Sequence, residues 1–201
     1  MSQAAHAAHG EHYTSLGIDS RKLGMWLLIA SECLLFGSLI VTYLIYHDKT
    51  INPPTPKQIL DIPITTISTF VLLMSSFSIV LALSGIQRGD LKAFRKWILI
   101  TALGGLTFLG FQVFEFTTFV SKGLGFTTNT FGSSFFLLTG CHGSHVTVGV
   151  LWLFALFFTS RKGGLTKDGP LKVDTMALYW HFVDVIWIVI FTVVYLFSVL
   201  E

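Results

Sequence analysis

Five apolar runs, at about 23–46, 63–84, 97–120, 131–159 and 176–199, set the limits on what this chain can fold into. Each reaches or exceeds the roughly 20 residues that a helix needs to cross about 30 Å of hydrocarbon. With no water there to satisfy a bare backbone, such runs read as spanning helices. The expected fold is therefore an all-α integral membrane protein, a bundle of five transmembrane helices. Composition agrees: 12% of residues are charged, against about 25% in ordinary globular domains, and mean hydropathy is +0.70. A net charge of +2 is too balanced for a nucleic-acid binder. Abundant Gly and Phe suit helices packed closely in lipid.

The breaks between runs carry turn chemistry: Asn52-Pro53-Pro54-Thr55-Pro56, then Gly85 to Asp90, Ser121-Lys122-Gly123, and Arg161-Lys162-Gly163-Gly164. The first twenty residues have no apolar core and do not read as a signal peptide. They are expected to be a mobile tail (1–20) ahead of one membrane domain (21–201). The three-residue spacing of His6, His9 and His12 leaves metal binding open there. Cys33 and Cys141 have no metal-type spacing, and no disulfide is expected of them. No internal repeat is evident, which gives an inverted-repeat transporter no support.

Lys and Arg fall unevenly about the runs. Ten of the thirteen lie at the N-terminal flank, the second connection and the fourth connection, whereas Lys49, Lys57 and Lys122 lie on the other side. The positive-inside rule places the N-terminus in the cytoplasm and Glu201 outside. Trp26, Tyr43, Tyr46, Trp97, Tyr179 and Trp180 lie near run ends, where interfacial aromatics are expected.

Six ionisable side chains fall inside the runs: Glu32, Glu115, His142, His145, His181 and Asp184. A charge at this depth costs about 2.5–3.5 kcal/mol or more, so each needs a partner or a task. His181 and Asp184 are three apart, on one helix face, and are expected to satisfy each other. At 1.5 Å per residue, Glu32 lies about 13 Å from the cytoplasmic end, Asp184 about 12 Å and Glu115 about 27 Å. Two layers follow as expectations: Glu32 with His181 and Asp184, and Glu115 with His142. Gly140 and Ser144, four apart, would let another helix approach the histidine face. From residues alone three readings stand. The set is polar glue between helices, or the histidines ligate membrane haem, or the carboxylates relay protons.

Five stretches carry a resemblance. Gly24-Met25-Trp26-Leu27 with Ser31-Glu32, then Leu72-Leu73-Met74-Ser75-Ser76, then Gln112-Val113-Phe114-Glu115-Phe116 follow one another along the chain. Two more specific motifs come after them. Gly132-Ser133-Ser134-Phe135-Phe136-Leu137-Leu138-Thr139-Gly140-Cys141-His142-Gly143-Ser144-His145-Val146 is the first, and Trp180-His181-Phe182-Val183-Asp184-Val185-Ile186-Trp187 the second. Together they resemble subunit III of the haem–copper respiratory oxidases, in its five-helix bacterial form.

The resemblance implies an accessory subunit of a cytochrome c or quinol oxidase in the bacterial plasma membrane. It would have no catalytic residue, metal or cofactor of its own, with haem and copper in partner subunits. It would pack on subunits I and II, hold structural phospholipid and support proton uptake. Glu32 would be neutral or hydrogen-bonded, His142, His145, His181 and Asp184 would fasten helices, and Glu115 would belong to the same buried structural or proton-related set. Arg88, Arg95, Lys96 and Arg161 would meet lipid headgroups. The first two helices of the seven-helix form are absent, so other subunits or lipid would complete the lipid cleft. A haem-ligating membrane anchor and an independent transporter are the competing functions.

Overall fold

The protein, described by a computed structural model over residues 19–47, 62–165 and 169–197, contains five helices of membrane-crossing length and apolarity. They are α1 (Ser20–His47), α2 (Ile62–Gln87), α3 (Leu91–Ser121), α4 (Thr130–Arg161) and α5 (Gly169–Ile190). The last continues as a π-helical segment, Phe191–Leu196. His6, His9 and His12, the Asn52–Pro56 connection, Lys49, Lys57, Lys167 and Glu201 lie outside the described residues.

Local chemistry sets the boundaries. Three helices end alike, on a glycine with positive φ: Gly89 at 77°, Gly123 at 88° and Gly163 at 73°. In each case the next residue's N–H reaches back into the helix: Asp90 to the Gly85 carbonyl, Leu124 to that of Phe119, Gly164 to that of Thr159. This is the Schellman closure, which a β-carbon at the left-handed position disfavours. Asp90 closes α2 in this way and also opens α3, its carboxylate accepting from the N–H groups of Lys92 and Ala93 at 3.0 Å. α3 therefore starts at Leu91, six residues before its apolar run, with Lys92, Arg95 and Lys96 already helical. α5 likewise starts at Gly169 rather than near 176.

α2 and α3 form the tightest antiparallel pair. A β-carbon on Gly104 would sit 2.8 Å from that of Ser75. α4 packs against α3 and α1, while α5 contacts α2, α4 and α1. Trp180 is the central side chain of this arrangement. Its ring lies where β-carbons on Gly105 of α3 and Gly149 of α4 would stand, at 2.6 and 2.7 Å, and its Nε1–H donates to Ser75 Oγ of α2 at 3.0 Å. One indole from α5 thus touches three other helices. α1 is the most peripheral helix, with Leu34 77% exposed.

The expected aromatic belt holds only in part. Trp26 and Tyr46 are exposed and Trp97 is half-buried, but Tyr43, Tyr179 and Trp180 are core residues. The early start of α5 moves Tyr179 and Trp180 ten residues into the span. The close approach expected along Gly140 and Ser144 is also displaced. Nothing lies within 4 Å of a Gly140 β-carbon and Ser144 is exposed, whereas Gly143 abuts the Gln112 amide and Gly149 abuts Trp180.

Candidate functional site

The six intramembrane ionisable residues occupy four places between helices. Glu32 of α1 meets His145 of α4, Oε2 to Nε2, at 3.2 Å, each side chain about one-fifth exposed. His145 Nδ1 lies 2.8 Å from the Cys141 carbonyl, which can only accept, so Nδ1 carries a proton. One further proton then lies between Nε2 and the Glu32 carboxyl, and the pair is neutral overall whichever atom holds it. Tyr179 of α5 donates to the His145 carbonyl at 3.0 Å, which adds the third helix. The expected layer of Glu32 with His181 and Asp184 does not form. His181 and Asp184 turn toward α2, and Glu32 faces α4.

His142 is fully buried and bonded through Nε2–H to the Val183 carbonyl at 3.2 Å. Its ring stacks on Trp187 (centroids 4.8 Å apart, 33°) and meets the edge of Phe108 at 5.7 Å. Trp187 in turn donates to Thr69 Oγ1 of α2 at 2.9 Å. His142 thus belongs to an aromatic core rather than to a layer with Glu115. The reason is depth: Glu115 is six residues from the C-terminal end of α3, and His142 is twelve from the N-terminal end of α4.

Glu115 instead takes Thr65 Oγ1 of α2 at 2.5 Å and Tyr195 of the π-helical segment at 3.2 Å. Both donors belong to helices other than its own, so one carboxyl ties α2, α3 and the end of α5. A π-turn is a local widening often seen where a side chain must be re-aimed, and Tyr195 is the side chain placed here. Beside this cluster the Gln112 amide donates to the Thr139 carbonyl of α4 at 2.7 Å.

The fourth place holds His181 and Asp184, which do not bond each other. His181 Nδ1 pairs with Ser76 Oγ of α2 at 2.6 Å. Asp184 is 3% exposed, and neither of its oxygens makes a well-formed hydrogen bond, the Ser76 hydroxyl being the polar group alongside. The helix rotation explains the miss. A three-residue step turns a helix by about 300°, and that offset lets each side chain take α2 rather than its neighbour.

Most of the described cations gather at one end, with Lys122 at the other. Lys22 of α1 bonds Asp174 of α5 at 2.7 Å, and Arg95 of α3 donates to the Ser160 carbonyl near the end of α4 at 2.5 Å. Arg88, Lys96 and Arg161 are exposed, with Lys96 over Trp97 at 5.3 Å and Arg161 over Phe157 at 6.0 Å. Among the described residues, no three His, Cys, Asp or Glu side chains converge as metal ligands. Thr65, Tyr195 and the glycines around Trp180 are the site residues that sequence reasoning missed. Gly105 and Gly149 interrupt apolar runs, but so do Gly110 and Gly140, which face nothing within 4 Å.

Fold and site together define a multi-pass membrane protein whose buried polar groups mostly tie one helix to another. Residues 3–199 match the family model described as cytochrome c oxidase subunit III. The chain is 41% identical to cytochrome c oxidase subunit 3 of Bacillus sp. (strain PS3), covering 92% of this chain and 90% of the relative. It is 37% identical to quinol oxidase subunit 3 of Bacillus subtilis (strain 168), covering 95% and 96%. Cytochrome c oxidase subunit 3 of Alkalihalophilus pseudofirmus is 38% identical, over 96% and 93%. The chain belongs to the cytochrome c oxidase subunit III family, and the names of its relatives mark it as a subunit of a multi-subunit oxidase of the bacterial respiratory membrane.

Proposed function

We propose that the chain is the accessory, non-redox subunit of a haem–copper terminal oxidase, packed on subunits I and II. The observation that carries this reading is how the intramembrane histidines are used. His142, His145 and His181 are engaged by α5, α1 and α2 respectively, each through a hydrogen bond that fixes the ring. Two facing imidazoles at one depth, which haem ligation between helices would need, are not what these rings form. Polar side chains spent on interhelical contacts serve a scaffold. In this reading it stabilises the larger subunits and sustains proton uptake during turnover.

The shared basic end supports a cytoplasmic N-terminus by the positive-inside rule. Arg88, Lys96 and Arg161 are placed to meet anionic headgroups there; Arg95 has its guanidinium on Ser160 and serves the α3–α4 contact first. The electron donor is cytochrome c or quinol, since relatives of both names match at similar identity. Purification of the tagged chain from native membranes tests the reading. Haem and a large haem–copper subunit are expected to accompany it, and the stripped chain is expected to have no reduced-minus-oxidised haem band. A stable solitary oligomer would instead point to a transporter.

A further inference from the structure

Ten aromatic side chains of this sequence, five Trp and five Tyr, can give up an electron to a strong oxidant. Four of them lie on α5 and its π-helical end, Tyr179, Trp180, Trp187 and Tyr195, and all four are buried. They continue one another through the bundle. The half-buried Trp152 of α4 stands 5.9 Å from Tyr179, centroid to centroid. Tyr179 and Trp180 lie against the same Gly149, 3.3 and 2.7 Å from where its β-carbon would be. Trp187 is two turns further along α5, about 10.5 Å on. Phe108, one turn from the Gly105 that abuts Trp180, meets the Trp187 ring at 4.7 Å. Tyr195 follows at 6.4 Å from Trp187.

Packing alone does not ask for oxidisable rings in a chain that has 19 Phe. What distinguishes this file is where each N–H or O–H goes. Trp180 donates to the Ser75 hydroxyl, Trp187 to the Thr69 hydroxyl and Tyr179 to the His145 carbonyl. Neither a hydroxyl nor a peptide carbonyl is basic enough to keep a proton. Tyr195 alone of the four donates to a carboxyl group, Glu115 Oε2, at 3.2 Å. An oxidised phenol is a strong acid, and its radical lasts only once the proton has left. The last ring of the file is thus the one with somewhere to put it.

We propose that this file is a trap for one-electron oxidants of the oxygen-radical class, the alkoxyl radicals of damaged lipid among them. The radical takes one electron from Trp152 and a proton from water, and leaves as an alcohol. Trp152 is refilled by Trp180 across the Tyr179 ring, Trp180 by Trp187, and Trp187 by Tyr195. In the last step the phenolic proton of Tyr195 passes along its hydrogen bond to the ionised Glu115. A neutral tyrosyl remains beside a neutral carboxylic acid, buried between helices and out of reach of lipid. No cofactor takes part, and the route is separate from the electron path to oxygen. The inference stands on side chains of this one chain and does not rest on oxidase membership.

The test uses the whole purified complex. Leu151, 64% exposed and next to Trp152, is replaced by Leu151→Cys to carry a ruthenium polypyridyl photosensitiser, in a background with Cys33 and Cys141 replaced. A flash in the presence of an external electron acceptor leaves oxidised ruthenium, which stands in for the oxygen radical. Freeze-quench EPR is expected to show a tyrosyl radical that is lost in Tyr195→Phe and in Trp187→Phe. Glu115→Gln keeps the phenol within reach of a side chain that cannot take its proton, and is expected to give a tryptophanyl radical instead. Tyr195→Phe and Glu115→Gln nearly preserve side-chain volume, and retention of the chain in the complex is read on the same samples. A tyrosyl signal of full size in Tyr195→Phe or in Glu115→Gln overturns the proposal, as does a flash that yields no radical on this chain.

Discussion

Trp180 and Glu115 fasten the same bundle by different means, and their expected energies differ accordingly. Gly105→Val would thrust a side chain into the space of the Trp180 ring, 2.6 Å from where its β-carbon would begin. Overpacking of this kind costs about 1–3 kcal/mol. Tyr195→Phe removes the Tyr195 hydroxyl from Glu115, and interhelical hydrogen bonds in membranes average about 0.6 kcal/mol, with a maximum near 1.7. The glycine substitution should therefore lower the thermal midpoint of the chain in detergent more than the tyrosine substitution does. An equal or reversed order would show that the polar cluster, not the indole, dominates. A Thr65→Val, Tyr195→Phe cycle should show coupling, because both hydroxyls serve one carboxyl.

At the scale of the helix, the connections were legible and the neighbours were not. Gly89-Asp90, Ser121-Lys122-Gly123 and Gly163-Gly164 name their turns through glycine's tolerance of positive φ and aspartate's reach to helix N–H groups. Asp90→Ala should cost about 1 kcal/mol, the usual cap loss, and Asp90→Asn much less, as read by chemical or thermal unfolding. The starts of α3 and α5 were misplaced because hydropathy marks where a helix enters lipid, while caps mark where it begins. The pairing of Glu32 with His145 instead of His181 has a similar cause. Depth follows from counting residues, but rotation about the helix axis depends on which helices are neighbours, and that is a property of the whole bundle. The close approach of Gly105 and Gly149 to one indole is legible only in hindsight, since many of the chain's glycines serve turns or face nothing.

The molecule as a whole has a basic end. Lys22 with Asp174 and Arg95 with Ser160 close the basic end across helices, so α1 starts beside the start of α5 and α3 starts beside the end of α4. If that end is cytoplasmic, a cysteine introduced at Lys92 should react with a membrane-impermeant thiol reagent only after cells are opened, in a background with Cys33 and Cys141 replaced. Labelling in intact cells would reverse the orientation.

The central claim is that the intramembrane polar groups hold a non-redox scaffold in a larger oxidase, and Asp184 tests it most directly. The oxidase is purified from native membranes with Asp184→Asn in this chain, and subunit content and the reduced-minus-oxidised spectrum are measured on one sample. The account predicts less of this chain per large subunit and an unchanged haem spectrum. A haem band lost while the chain is retained in full would contradict it.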